Sequence, residues 1–196
     1  AKSGLVDFAE LLLRAYELCR DNAELQAHYR QRLRHLLVDE FQDTNTLQYL
    51  WLKVLAGKTG VMFGVGDDDQ SVYGWRGAKI ENMLNLSRDF PGCETIRLEQ
   101  NYRSTGTILK AANGLINKNS GRLGKNLWTD AGEGEAIQLY AAFNEYDEAE
   151  FIVNRMKEHL DGRCRHADLA ILYRMSAQSR VLEETLIRAR IPYRIT

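Results

Sequence analysis

A chain of 196 residues with 44% hydrophobic and 27% charged side chains can bury one substantial core or two small ones, without disorder or a covalent staple. Its formal net charge of -1 excludes a globally basic nucleic-acid binder, so any such contact has to come from local basic and aromatic groups. Cys19, Cys93 and Cys164 are odd in number and scattered, which argues against a disulfide framework; with no membrane-length apolar run and no signal-like start, a cytoplasmic protein with no membrane partner is expected.

From Phe8, the positions Phe8, Leu11, Leu12, Ala15, Leu18 and Cys19 follow helical spacing, with Asp7 near the start and Asp21-Asn22 breaking the pattern. A second helix carries Leu25, Tyr29 and Leu33, and its basic end (Arg30, Arg32, Arg34) suits a helix C-terminus. Leu36, Leu37 and Val38 lack polar alternation, as expected of a parallel strand covered on both faces, and this strand runs into Asp39 and Glu40. Open α/β sheets meet their ligands beyond such carboxyl ends. Leu47, Leu50, Trp51, Val54 and Leu55 predict an amphipathic helix that Gly57 ends in a left-handed conformation. Gly57-Lys58-Thr59 mimics the end of a phosphate-binding P-loop, but Leu52 stands where the first Gly is required, and no other G-x-x-x-x-G-K-[ST] occurs.

A second strand, Val61 to Val65, leads into the loop Gly66 to Ala78; Ile80, Met83 and Leu84 then predict a helix stopped by Pro91-Gly92. Thr95 to Leu98 reads as a third strand, followed by a helix with Ile108, Ala112, Leu115 and Ile116 on one face and Ser104 or Thr105 as its N-cap. Asn117 to Gly134 is a long glycine-rich loop in which Trp128 needs local cover. Beyond it the alternation resumes: Ile137 to Ala141 as a strand, Ala149 to Leu160 as a helix, Leu169 to Tyr173 as a buried strand, and a last helix lined by Leu182, Leu186 and Ala189. Alternating strands and helices predict an α/β fold, a parallel sheet with helices on both faces.

Three stretches carry chemistry. An apolar strand ending in Asp-Glu has the form of a Walker B element, in which the Asp holds Mg²⁺ and the Glu activates water; the plainer reading is a solvated strand end. Gly66 to Ala78 combines three carboxylates, an amide, two aromatics and an Arg. There Tyr73 and Trp75 can be displayed for base stacking worth about 1 to 3 kcal/mol each, unless they plug the core while the Asp run caps the next helix. Asn101-Tyr102-Arg103-Ser104, between a strand end and a helix start, is placed for phosphate contact, with the alternative of a surface Arg beside a packed Tyr. His159, Cys164 and His166 lack a fourth partner for zinc.

In this order and spacing, Val38 to Thr44, Gly66 to Ala78 and Leu98 to Thr105 resemble motifs II, III and IV of the UvrD/Rep/PcrA group of superfamily 1 DNA helicases, and Ile171 to Arg180 resembles a further block. The resemblance implies RecA-like parallel sheets flanked by helices, in a motor that uses ATP to move 3′ to 5′ on single-stranded DNA and to separate duplexes. On that pattern Asp39 holds Mg²⁺, Glu40 activates the hydrolytic water and Gln70 senses the γ-phosphate. Tyr73 and Trp75 stack on DNA bases, Arg76 supports their loop, Tyr102 stacks on the adenine, and Arg103 reaches the γ-phosphate. Residues 1–34 are then the end of an inserted helical subdomain. Residues 35–98 are the later half of a first RecA-like domain, and 99–196 the first half of a second.

The same resemblance implies duplex junctions as substrates, a place in DNA repair among repair proteins, and a nucleoid-associated location. With the P-loop and adenine-recognition segments missing, no initiator Met before Ala1 and a strand-like end at Ile191 to Thr196, the chain is expected to be an internal fragment, inactive alone. The alternative is a non-hydrolysing single-stranded DNA-binding module derived from the same fold.

Overall fold

The computed structural model describes residues 4–162 and 164–196. The chain folds as two compact units, Ala1–Glu135 and Ala136–Thr196.

In the first unit, α1 (Phe8–Asp21) starts where Asp7 Oδ1 accepts from the Glu10 N–H at 2.8 Å, and α2 (Ala23–Arg32) starts where Asn22 Oδ1 accepts from Leu25 N at 2.9 Å. One Asn thus ends the first helix and caps the second. Strand β1 (His35–Val38) pairs in parallel with β2 (Val61–Gly64), His35 opposite Val61 and Val38 opposite Gly64. Between them runs α3 (Thr46–Ala56), opened by a reciprocal capping box in which Asn45 Oδ1 accepts from Gln48 N (2.9 Å) and Gln48 Oε1 from Asn45 N (2.8 Å). Gly57 ends α3 at positive φ, as its position requires, though its ψ of -142° lies outside the left-handed helical basin. The Arg30 guanidinium donates twice to the Val54 carbonyl, at 2.9 and 2.8 Å. A Cβ at Gly57 would lie 2.6 Å from Arg30 Nε, so this basic residue satisfies the end of α3 rather than only its own helix.

The core joins Cys19, Leu36, Leu55 and Ala56, packed by Leu25, Leu33, Trp51, Val54, Met62 and Phe90. Beside it the Phe41 and Tyr49 rings meet edge to face at 6.0 Å. The buried Tyr49 hydroxyl donates to Asp89 Oδ2 at 2.9 Å, which also receives Lys53 Nζ at 2.9 Å. The Lys53 ammonium holds the Asp89 carboxyl below the usual range, with burial opposing and Tyr49 and Arg88 assisting. Burial, with Asp89 close by, pushes the Tyr49 phenol up. Asp89→Ala therefore should destabilise this unit by about 1 to 3 kcal/mol at neutral pH, because a buried hydroxyl loses its acceptor. A carboxyl lowered on folding stabilises above its unfolded value and loses that contribution as pH falls through its folded one. In urea denaturation the deficit should shrink toward acid pH; a deficit constant with pH would assign the loss to packing alone.

Several expectations are corrected. The strand Leu36 to Val38 is covered on one face only: Leu36 is buried while Leu37 is 76% exposed, since helices pack on one side of the two-stranded sheet. In α1 the apolar face is covered at Cys19, whereas Phe8, Leu11 and Leu18 stand exposed. The stretches Thr95 to Leu98, Ile137 to Ala141 and Leu169 to Tyr173 form no ladder; no neighbouring strand pairs with them among the described residues, and Ile96, Leu98, Leu139 and Leu172 are exposed. The helix expected around Ile80 to Leu84 is two short turns, α4 (Glu81–Leu84) and α5 (Leu86–Asp89), anchored by the buried Asn82, whose Nδ2 donates to the Thr44 carbonyl at 2.9 Å.

Helix α6 (Gly106–Ile116) starts after Thr105 as expected, but no side chain caps it. Its first N–H groups donate instead to the carbonyls of Gly132 (2.7 Å) and Glu133 (2.9 Å). Trp128 is held by its backbone, donating to Glu99 O at 3.1 Å and accepting from Asn101 N at 2.8 Å. The loop from Asn117 to Gly134 is therefore tied along α6, within the first of the two compact units.

The second unit packs α7 (Glu145–Asp161), capped by Asn144, on α8 (Ser179–Arg188) through Ala149, Val153, Val181, Leu182, Leu186 and Ile191. The mixture of helices with one small parallel sheet is what the structure establishes of the expected α/β architecture. No helix among the described residues is long and apolar enough to cross a membrane.

Candidate functional site

At the carboxyl ends of β1 and β2 the parallel pairing continues past the strands, Val65 N donating to Val38 O (2.8 Å) and Phe41 N to Val65 O (2.9 Å). This brings Asp39 and Glu40 beside Gly66 and Asp67. Glu40 sits in the left-handed region at φ 48°, ψ 45°, a conformation that costs a non-glycine residue about 1 to 3 kcal/mol and persists only where its surroundings enforce it. Its N–H donates to Asp39 Oδ1 (2.9 Å), and its Oε2 accepts from Gln42 Nε2 (2.7 Å). The other end of the Gln42 amide, Oε1, accepts from the Asp67 N–H at 3.0 Å. A Cβ on residue 66 would stand 2.7 Å from that oxygen, so any side chain there would push the Gln42 amide from its place.

Asp67 is the hub of the loop. Its Oδ1 accepts from Asp69 N (3.0 Å), capping the turn Asp68–Gln70, and its Oδ2 accepts from Gln70 Nε2 (2.7 Å). Lys125 forms an ion pair with it. Burial raises this carboxyl, but the hydrogen bonds from the Lys125 ammonium and the Gln70 amide outweigh that and hold it below the usual range. Asp69 takes a two-pronged pair from Arg122, at 2.6 Å for each prong, and Asp68 Oδ2 accepts from Leu123 N at 2.7 Å. Asp67, Asp68 and Asp69 form the one grouping of possible metal ligands among the described residues. Each is already matched by a cation or a backbone donor. Asp39 and Glu40 lie outside that grouping, and both are exposed.

The aromatic pair follows in the turn Gly74–Arg76, closed by Gly77 at φ 87°. Trp75 is 71% exposed and Tyr73 exposed beside it, ring centroids 6.3 Å apart, so neither plugs the core. The Arg76 guanidinium lies over both rings, 4.8 Å from Tyr73 and 4.5 Å from Trp75. Lys79 N donates to Thr44 O at 3.0 Å, fixing the far end of this loop to the segment after Glu40.

Tyr102 and Arg103 stand apart from both groups. Asn101 Oδ1 accepts from Arg103 N (2.9 Å) and Ser104 N (2.7 Å), folding a tight turn. Tyr102 is 85% exposed, its hydroxyl donating to Gln100 Oε1 at 2.8 Å. The exposed Arg103 guanidinium has no hydrogen bond or ion pair among the described residues, and none joins either side chain to Asp39, Glu40 or Gln70. The structure thus gathers Asp39, Glu40 and Gln70 into one network and leaves Tyr73, Trp75 and Arg76 as a second group, Tyr102 and Arg103 as a third. Sequence reasoning missed Gln42, Arg122 and Lys125. An amide side chain two residues after the carboxylate pair was the available signal for Gln42, which the structure buries, whereas nothing local marks the two cations.

Comparison with protein families matches residues 1–91 to the UvrD/REP helicase N-terminal domain and residues 96–196 to the UvrD-like helicase C-terminal domain. The chain is 62% identical to DNA helicase II of Escherichia coli over 99% of its own length and 27% of that protein. It is 57% identical to DNA helicase II of Haemophilus influenzae (99% of the chain, 26% of the relative). To the ATP-dependent DNA helicase PcrA of Staphylococcus aureus it is 46% identical (98% and 26%). It spans roughly a quarter of the length of these relatives.

Proposed function

The chain belongs to the UvrD-like helicase family, and from that premise we propose that it forms part of an ATP-driven motor that moves 3′ to 5′ on single-stranded DNA and opens duplexes. The observation that carries this reading is the hydrogen-bonded path from the Glu40 carboxylate through Gln42 to Asp67 and Gln70. It links the carboxylate pair at one strand end to the loop that displays Tyr73 and Trp75.

In this reading Asp39 holds Mg²⁺, which when bound supplies positive charge against the phosphate oxygens. Glu40 orients the attacking water and takes its proton; with Oε2 held by Gln42, Oε1 is the oxygen left for that task. Gln70 reads the γ-phosphate. Tyr102 stacks on the adenine, and Arg103 stabilises the charge that develops on the transferred phosphoryl group. Tyr73 and Trp75 stack on bases with Arg76 steadying both rings.

Residues 1–34, 35–98 and 99–196 form the end of a helical subdomain and two partial RecA-like domains; support comes from the family models, which divide between residues 91 and 96. Duplex junctions, repair proteins as partners and a nucleoid-associated location belong to the same proposal. Because this sequence carries no G-x-x-x-x-G-K-[ST] pattern to cradle the β- and γ-phosphates, turnover is assigned to the intact protein; phosphate release by the chain alone, with Mg²⁺ and DNA, would contradict that.

The DNA-facing half of the proposal is tested by Trp75→Ala in the intact protein. Loss of one stacking platform should weaken single-strand affinity by about 1 to 3 kcal/mol at fixed salt. Nucleotide affinity without DNA should stay normal. Loss of nucleotide binding instead would return Trp75 to a packing role.

A further inference from the structure

We propose that Gln42 is a positioning residue for hydrolysis: its amide fixes the Glu40 carboxylate relative to the Gly66-Asp67 backbone, so that base and sensor loop hold one register. This rests on the reading of Glu40 as the base.

The amide can lie only one way round. Toward Glu40 it must donate, because a carboxylate accepts; toward Asp67 it must accept, because a backbone N–H donates. Gln42 is 1% exposed, so neither group can be replaced by water without opening the site. Its neighbours enforce the same placement from both sides. Glu40 is held in its left-handed conformation with its own N–H on Asp39, and Gly66 leaves room for Gln42 Oε1 that any Cβ would take. An apolar side chain of similar length would fill the volume equally well. It would leave the Asp67 N–H unpaired and the Glu40 carboxylate free to swing. Glu at this position would put a second carboxylate against Glu40 and repel it.

The effect on chemistry follows from geometry. A catalytic group misplaced by about 1 Å loses on the order of 10²-fold in rate while substrate affinity is untouched. Asp67 also accepts from Gln70, so the peptide that Gln42 fixes carries the hub holding the γ-phosphate sensor.

The test uses the intact protein with Gln42→Met, Gln42→Glu, Gly66→Ala, Glu40→Gln, and Gln42→Met combined with Glu40→Gln. For Gln42→Met we expect DNA-stimulated turnover to fall on the order of 10²-fold, with KM for ATP and affinity for a non-hydrolysable ATP analogue unchanged. Hydrogen exchange at the Asp67 amide should quicken in the nucleotide-free protein. Gln42→Glu should fall further, and Gly66→Ala should reproduce the loss with Gln42 present, which decides the matter if Gln42→Met does not fold. Added to Glu40→Gln, Gln42→Met should cost nothing more, since groups acting as a unit are not additive.

Wild-type turnover in Gln42→Met, a loss confined to nucleotide affinity, or a loss that multiplies onto Glu40→Gln would overturn the proposal. Were Glu40→Gln silent and Gln42→Met fully active, the positioning role alone would fall. Full turnover in Glu40→Gln would remove the reading of Glu40 and this proposal together.

Discussion

Arg103→Ala in the intact protein should lower ATP turnover by about 10³- to 10⁵-fold, the range for a lost arginine finger, while single-strand DNA affinity and thermal stability stay near wild type. The stability half of this expectation comes from local structure. The Arg103 guanidinium is exposed and unpaired among the described residues, whereas its turn is held by backbone N–H groups on Asn101 and the start of α6 by the carbonyls of Gly132 and Glu133. Removing the side chain leaves every one of those bonds in place. Arg103→Lys should recover only part of the loss, because a point charge does not reproduce the planar fork. Turnover and a melting curve on the same preparations decide it; intact ATPase with abolished DNA binding would put Arg103 on the wrong ligand.

Glu40→Gln should lower turnover by about 10²- to 10⁴-fold, the usual contribution of a general base. The substitution keeps shape and leaves an amide oxygen that still accepts from Gln42 Nε2, so the left-handed backbone at this position keeps its support. Both ligands should therefore still bind. Rapid-mixing measurement of phosphate release at saturating ATP and DNA checks it, and turnover near wild type would return Asp39 and Glu40 to a solvated strand end.

What could be read in advance was what is local. Asp7 at the start of α1 and the positive φ at Gly57 each depend on residues a few positions apart, and each is present. Strands are different, because a strand exists only with a partner. Ile137 to Ala141 and Leu169 to Tyr173 carry strand composition yet pair with nothing among the described residues. The site divides the same way. Asp39, Glu40, Gln70, Tyr73 and Trp75 stand out because carboxylates, amides and aromatics crowd two short loops. Arg122 and Lys125 were illegible because they reach Asp69 and Asp67 from a distant glycine-rich loop that has no periodicity of its own.

The central claim is that one network couples nucleotide state to DNA grip through Gln70. Single-strand DNA affinity of the intact protein, measured at fixed salt with and without a non-hydrolysable ATP analogue in wild type and Gln70→Ala, tests it most directly. Nucleotide should change the wild-type affinity by about 5- to 150-fold, the range of typical coupling energies. In Gln70→Ala that factor should collapse toward one while each ligand still binds alone. A wild-type DNA affinity indifferent to nucleotide, or a factor that survives in Gln70→Ala, would contradict the account.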